Sequence, residues 1–236
     1  MKDKFKRITF LLICVSTMIV ICVAVGFFGQ NEEDVIINRI VGVVAIISGI
    51  GSVIMGISSI FTSSLDNVRE YYATGDSAEL ANARKVLYNY RYIKIKHGKT
   101  IYDGDFDQWV QENIDPSQTV LCTTTKAEIL AATSEIADFY QMWGLLQYKG
   151  FLPVWVFETA SGYSVIKMYE AIEEIVTEMR SMNPFYAVHF QNLCIRINSK
   201  YRKAILECRK KEMEYIAKVL GVKDLSDNRH FDNLKK

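Results

Sequence analysis

Apolar residues are distributed in two different ways along the chain. Residues 8–28 and 40–64 form two runs without a single charged side chain, whereas from Leu65 onward apolar positions recur at steps of three and four among charged ones. A helix rises about 1.5 Å per residue, so crossing a hydrocarbon core of about 30 Å takes about 20 apolar residues. Both runs are long enough. The pattern therefore predicts an all-α chain: a basic cytosolic N-terminus at 1–7, a transmembrane helix at 8–28, a short external loop at 29–39, a second transmembrane helix at 40–64, and a cytosolic helical domain at 65–236.

Within that domain the three-and-four spacing outlines the helices. One continues the second apolar run through Asp66 and Tyr72 and stops near Gly75. Asp76-Ser77-Ala78-Glu79 then supplies a cap for a helix reaching about Lys94, with Leu80, Ala83, Val86, Leu87 and Tyr90 on its apolar side. A loop at 96–104 precedes a short helix bearing Phe106, Trp109 and Val110, broken by Asp115-Pro116. From Thr125 the period is strong: Ile129, Ala132, Ile136, Phe139, Trp143 and Leu146 share a face, and Gly150 and Pro153 end it. Trp155, Val156 and Phe157 begin a further helix whose apolar face is Val165, Met168, Tyr169, Ile172, Val176 and Met179. After Asn183-Pro184 a long helix is expected from Phe185 toward Leu220, with Asn198-Ser199 as an interruption and Gly221 as terminator.

The second apolar run carries a finer pattern. Gly42, Ala45, Gly49, Ser52, Gly56 and Ser59 follow at steps of three and four, which makes a stripe of small residues suited to close helix packing in lipid; Val53 is expected off it. Residues 8–28 offer a matching stripe through Phe10, Cys14, Thr17, Ile21, Ala24 and Phe28, so the seam packs the hairpin or joins copies in a homo-oligomer. No acid or base lies inside either run to build an ion pathway.

Charge settles orientation more than partner. Lys2, Lys4, Lys6 and Arg7 precede the first run, while the connecting loop is acidic at Glu32, Glu33 and Asp34, which keeps the basic end and the C-terminal domain in the cytoplasm of an inner (plasma) membrane. A cleaved signal is the rival reading of residues 8–28, opposed by an apolar run that continues through Phe27 and Phe28. A formal net charge of +1 gives no general attraction to nucleic acid. Cys122, Cys194 and Cys208 are widely spaced, so they read as reduced, small buried side chains.

Several segments of the domain carry a resemblance. Ala-Asp-Phe-Tyr-Gln-Met-Trp-Gly-Leu-Leu at 137–146, Lys-Gly-Phe-Leu at 149–152, Tyr169-Glu170, Arg180, Phe185-Tyr186 and Phe-Gln-Asn-Leu at 190–193 are similar to bacterial membrane proteins of the domain-of-unknown-function 4760 type. Gln191 stands where that family tends to have an acid. The resemblance implies a bacterial, membrane-tethered helical module and transfers no catalytic residue.

Candidate chemistry is sparse. Glu170, Glu174 and Glu178 follow at i, i+4 spacing and His189 comes on the next helix, yet metal sites in helical bundles use Glu-x-x-His pairs, so a solvated acidic face is expected, with no metal and no cofactor. Arg196, Lys200, Lys203, Arg209, Lys210 and Lys211 crowd the last helix and could touch an anionic surface, against the plainer expectation of a solvated face with pairs such as Glu207–Lys211. No hydrolase, protease or kinase motif occurs. The expected function is a membrane-tethered interaction or signalling module, a role in bacterial defence or stress response being one form of it. Its partners would be the bilayer, other copies of itself and a protein not identifiable from sequence. The alternative is a membrane-attached enzyme using the acidic face near Glu174 and His189.

Overall fold

The computed structural model describes residue 17 and residues 32–114, 123–158 and 160–220. Every regular element among them is a helix: α1 (Glu32–Gly75), α2 (Ala78–His97), α3 (Phe106–Asn113), α4 (Lys126–Lys149), a short 3-10 turn (Val154–Phe157), α5 (Ala160–Met182) and α6 (Val188–Leu220). The chain divides into two units, Met1–Asn67 and Val68–Lys236.

In the first unit, the described backbone is α1. From Val41 this helix is long and apolar enough to cross a membrane, and none of its most apolar stretch is buried. Ile47, Ile54 and Met55 are all more than half exposed. Two hydroxyls in this stretch are satisfied by the helix itself: Ser52 and Thr62 donate to the carbonyls of Ser48 and Ser58, each at 2.9 Å. Gly49, Val53 and Gly56 are less exposed than Ile54 between them. Val53 lies one turn from each glycine, so it belongs to the small-residue side and not off it. Apart from Thr17, residues 8–28, the other expected span, lie outside the described residues, as do residues 221–236 and Cys122.

In the second unit, local chemistry sets the helix ends. Ser77 Oγ caps α2 by accepting from Leu80 N at 3.3 Å, and Gly98 closes it in the left-handed region. Asp105 caps α3 through Gln108 N. At α4, Thr125 and Glu128 form a reciprocal capping box, and Gly150 at φ 82° stops the helix. These ends agree with the sequence signals. Two expectations need correction. Trp155, Val156 and Phe157 form a separate 3-10 turn, and Trp155 is half exposed, not a core residue. The long last helix begins at Val188 because Asn183 Oδ1 accepts from Phe185 N and Ala187 adopts φ 53°, a turn that cannot continue as helix.

The core is built where the helices cross. Leu87, Tyr90, Ile93, Ile129, Ile136, Trp143, Val165, Met168, Tyr169, Ile172, Val176 and Phe190 are buried. Gln141 and Gln147 of α4 meet His189 and Arg196 of α6, so these two helices run the same way. They approach closely at Gly144: a Cβ there would stand 2.3 Å from the His189 carbonyl oxygen. The first arm of α6 runs antiparallel to α5, with Phe190 against Tyr169 and Ile197 against Gly162. At Tyr201 (φ −117°, ψ 29°) the helix kinks, three residues after the expected interruption at Asn198.

Candidate functional site

The kink turns the second arm of α6 onto a different side of α5. Positions 162, 165 and 169 of α5 meet the first arm, whereas 163, 167 and 170, about a third of a turn or more around the helix, meet the second. That second side carries Tyr163, Lys167, Glu170 and Glu174, and it faces α2 as well. Polar residues at these positions can be buried because α2 and α6 present the opposite charges.

The result is an ion-pair network joining three helices. Arg91 of α2 lies 3.0 Å from Glu212 of α6 and 3.6 Å from Glu170 of α5. Arg209 pairs with the other Glu170 oxygen. Lys167 donates to Glu212 at 2.9 Å, and Tyr163 Oη donates to the second Glu212 oxygen at 2.6 Å. One turn along α5, Glu174 accepts from Lys94 and from Tyr90 Oη, while that hydroxyl also accepts from Ile101 N at 3.2 Å. Lys167 sits over the rings of Tyr88 and Tyr163 at 4.7 and 5.2 Å.

Burial and pairing pull the titration of these groups in opposite directions. Burial pushes the Glu170 carboxyl up, against the attraction of Arg209 and Arg91. Burial also raises Glu212, but Arg91, the Tyr163 hydroxyl and Lys167 together bring it below the ordinary carboxylate range. Arg91 loses by desolvation and gains more from Glu212 and Glu170, so it is held firmly charged. Burial and the neighbouring Glu174 raise the Tyr90 hydroxyl. Glu212 and Glu174 each accept from two side chains on other elements or turns, whereas Glu170 accepts from Arg209 through one oxygen and leaves the other, 3.6 Å from Arg91, without a hydrogen bond among the described residues. The pairs tie α2, α5 and α6 together.

The sequence-predicted residues divide accordingly. Of the acidic row expected to be solvated, only Glu178 is exposed; Glu170 is buried and Glu174 is mostly covered. His189 is not with them. Its backbone N donates to Gln141 Oε1 at 2.8 Å, and its ring tilts against Tyr148 at 6.2 Å on the α4 side of the bundle. Among the described residues no group of three or more His, Cys, Asp or Glu is placed to hold a metal ion. Cys194 is buried, and its thiol is pushed up by burial; Cys208 is half-buried. The basic row of α6 is also split: Arg209 turns inward to Glu170, Lys211 and Lys210 pair with Glu207 and Glu214 in solvent, and Lys203 is exposed.

Arg196 and Lys200 belong to a different grouping. Arg196 donates to Gln147 Oε1 at 3.1 Å and lies 4.8 Å over the Tyr148 ring, with Lys149 5.9 Å from the same ring. Lys200 lies over Tyr201 at 5.1 Å, and Tyr201 Oη donates to Val154 O at 3.4 Å. Tyr148, Phe151 and Trp155 are each about half exposed. The 3-10 turn that presents Trp155 also packs on the end of α1: Tyr72 Oη donates to Val156 O, and the Tyr71 and Phe157 rings meet edge to face at 5.4 Å.

No protein-family model, curated protein or solved structure matches this chain. Sequence spacing missed both the network and this surface. The network's partners lie on separate helices and share no local period. Of the aromatic positions, Phe151 belongs to the resemblance, and the sequence pattern has Trp155 beginning a helix. The one available signal was Tyr148-Lys149-Gly150-Phe151, an aromatic and basic stretch placed at a helix end.

Proposed function

We propose that the protein is a membrane-tethered helical module that uses its body for interaction or signalling. The observation that carries the reading is α1: from Val41 it combines the length and apolarity of a membrane span with large exposed side chains at Val41, Ile47, Ile54 and Met55. Water around such a face would be costly, and lipid removes the cost. The intrahelical bonds of Ser52 and Thr62 suit a solvent that offers no hydrogen bonds. At its other end α1 contributes Val68 and Tyr71 to the buried core of the body.

The finer reading is a two-pass topology with residues 8–28 as the partner span, both termini in the cytoplasm, and the stripe of Gly42, Ala45, Gly49, Ser52, Gly56 and Ser59 packing the spans or joining copies. The basic start and acidic connecting loop support it. An impermeant thiol reagent applied to intact cells should label a cysteine placed at Asn31 and spare one at Ser226. Labelling at Ser226 would reverse the orientation.

A further inference from the structure

We infer that Arg91, Lys167 and Tyr163 form a carboxylate-binding site, that the second arm of α6 fills it from within the chain through Glu212, and that this arm is a strap which a small organic carboxylate can replace. All of its parts lie in the second unit. The site is contributed by α2 and α5 and converges on one carboxylate: Arg91 stands 3.0 Å from Glu212 Oε2, Tyr163 Oη donates to that oxygen at 2.6 Å, and Lys167 Nζ donates to Oε1 at 2.9 Å. A guanidinium, an ammonium and a hydroxyl around two oxygens are groups that recognise a carboxylate. Lys167 is steadied between the rings of Tyr88 and Tyr163, and the Tyr88 hydroxyl shares a 2.9 Å hydrogen bond with that of Ser164. None of these groups belongs to α6. Arg91 also keeps Nη1 buried and without a hydrogen-bond partner among the described residues, a donor that Glu212 leaves unused.

The occupant sits on the part of the bundle most easily moved. Glu212 lies beyond Tyr201, where φ and ψ leave the helical region, so a rotation there swings the second arm while the first stays packed. The arm's apolar grip is slight. Of residues 202–219, Ile205 and Ile216 are buried, while Leu206, Tyr215 and Val219 are exposed; the first arm buries Phe190, Leu193, Cys194 and Ile197. Lifting the arm takes Arg209 away with Glu212 and leaves Arg91 and Lys167 with Glu170 as the carboxylate beside Arg91. A cation is then in excess, and an anion in the place of Glu212 restores the balance. A tethered carboxylate competes with a free one at an effective concentration of about millimolar order, so the exchange is graded by the ligand.

The test uses the full chain in detergent, with isotope-labelled acetate as the probe, exchanged against chloride at constant ionic strength. Line broadening of acetate reports binding. Maleimide labelling of Cys208, which packs half-buried on the core from the second arm, reports the strap, and buried Cys194 on the first arm reports folding. Glu212→Gln should label at Cys208 several-fold faster than wild type with Cys194 still protected, and should bind acetate about tenfold more tightly than wild type, where the tethered carboxylate competes. Adding Lys167→Met should abolish that binding. In wild type, acetate should speed Cys208 labelling above the rate in chloride. Unchanged Cys208 labelling in Glu212→Gln would overturn the strap, and equal acetate binding in wild type and Glu212→Gln, or none in either, would overturn the site. If Glu212→Gln labels at Cys194 as well, wild type decides alone: Cys208 labelling no faster in acetate than in chloride would then overturn the proposal.

Discussion

The Arg91 guanidinium meets the Glu212 carboxylate at 3.0 Å with only 3% and 10% of the two side chains exposed. Arg91 comes from the fourth turn of α2, and Glu212 from beyond the α6 kink. Their meeting requires the kink, because a straight α6 would carry Glu212 away from α5 and α2. With Lys167, Glu170 and Arg209 closing the network, the pair fixes how far the second arm folds back.

Removing one member should therefore cost more than a surface pair would. Arg91→Met leaves Glu170 and Glu212 facing each other in a buried setting, and a loss of about 3 to 5 kcal/mol in chemical denaturation of the full chain is expected. Lys211→Met breaks only the solvent-exposed i, i+4 pair with Glu207, and should leave the denaturation midpoint nearly unchanged.

Acid should weaken the body through Glu212. Its carboxyl is held below its ordinary value of 4.5, so its contribution is present above that value and is lost as pH falls through the folded one. Glu170 is raised and has the opposite sign: its contribution is present below 4.5 and is lost as pH rises through its folded value. Thermal melts taken downward from neutral pH should show Glu212→Gln with a shallower acid decline than wild type. Glu170→Gln should keep the acid decline.

Close packing of α4 on α6 depends on Gly144. A methyl group there would collide with the His189 backbone, which cannot move aside as a side chain can. Gly144→Ala should destabilise the body by about 1 to 3 kcal/mol or more. Gly75→Ala, whose Cβ would meet only the Phe139 ring edge at 3.4 Å, should be close to neutral in the same denaturation experiment.

Two of the three tryptophans, Trp143 and Trp155, should behave in opposite ways. Trp143 is buried and packs edge to face on Tyr71 at 5.3 Å, so Trp143→Ala should cost about 3 to 5 kcal/mol. Trp155 is half exposed, and Trp155→Ala should change stability by no more than about 0.5 kcal/mol.

Sequence reading recovered the helices whose ends carry their own signals. Thr125 with Glu128, and Gly150 three residues before Pro153, bound α4 on both sides, and Ser77 starts α2, whose end at His97 falls three residues past the expected Lys94. It failed where the deciding partner was remote. Glu170 and Glu174 look like a solvated acidic row at i, i+4 spacing, and only α2 and the kinked α6 supply the cations that bury them. Likewise the pattern before α5 reads as one helix. The turn from Pro153 to Glu158 instead closes onto Tyr72 and Tyr201 through backbone carbonyls, contacts that no local spacing announces.

Small residues on α1 should matter in proportion to the face they occupy. Gly49→Leu and Gly56→Leu should disrupt cysteine crosslinking between the two proposed spans, or between copies, whereas Ile54→Leu on the exposed side should not. Val53 is a poor control, since it shares the side of the glycines.

The central claim is that α1 holds this protein in a membrane, and extraction of cell membranes with alkaline carbonate tests it most directly. The full chain should remain with the sedimented bilayer, and replacing Ile47 and Ile54 by aspartate should release a substantial share, because each charge at the middle of a span costs about 2.5 to 3.5 kcal/mol on insertion scales. Recovery of the unaltered chain in the carbonate supernatant would contradict the account.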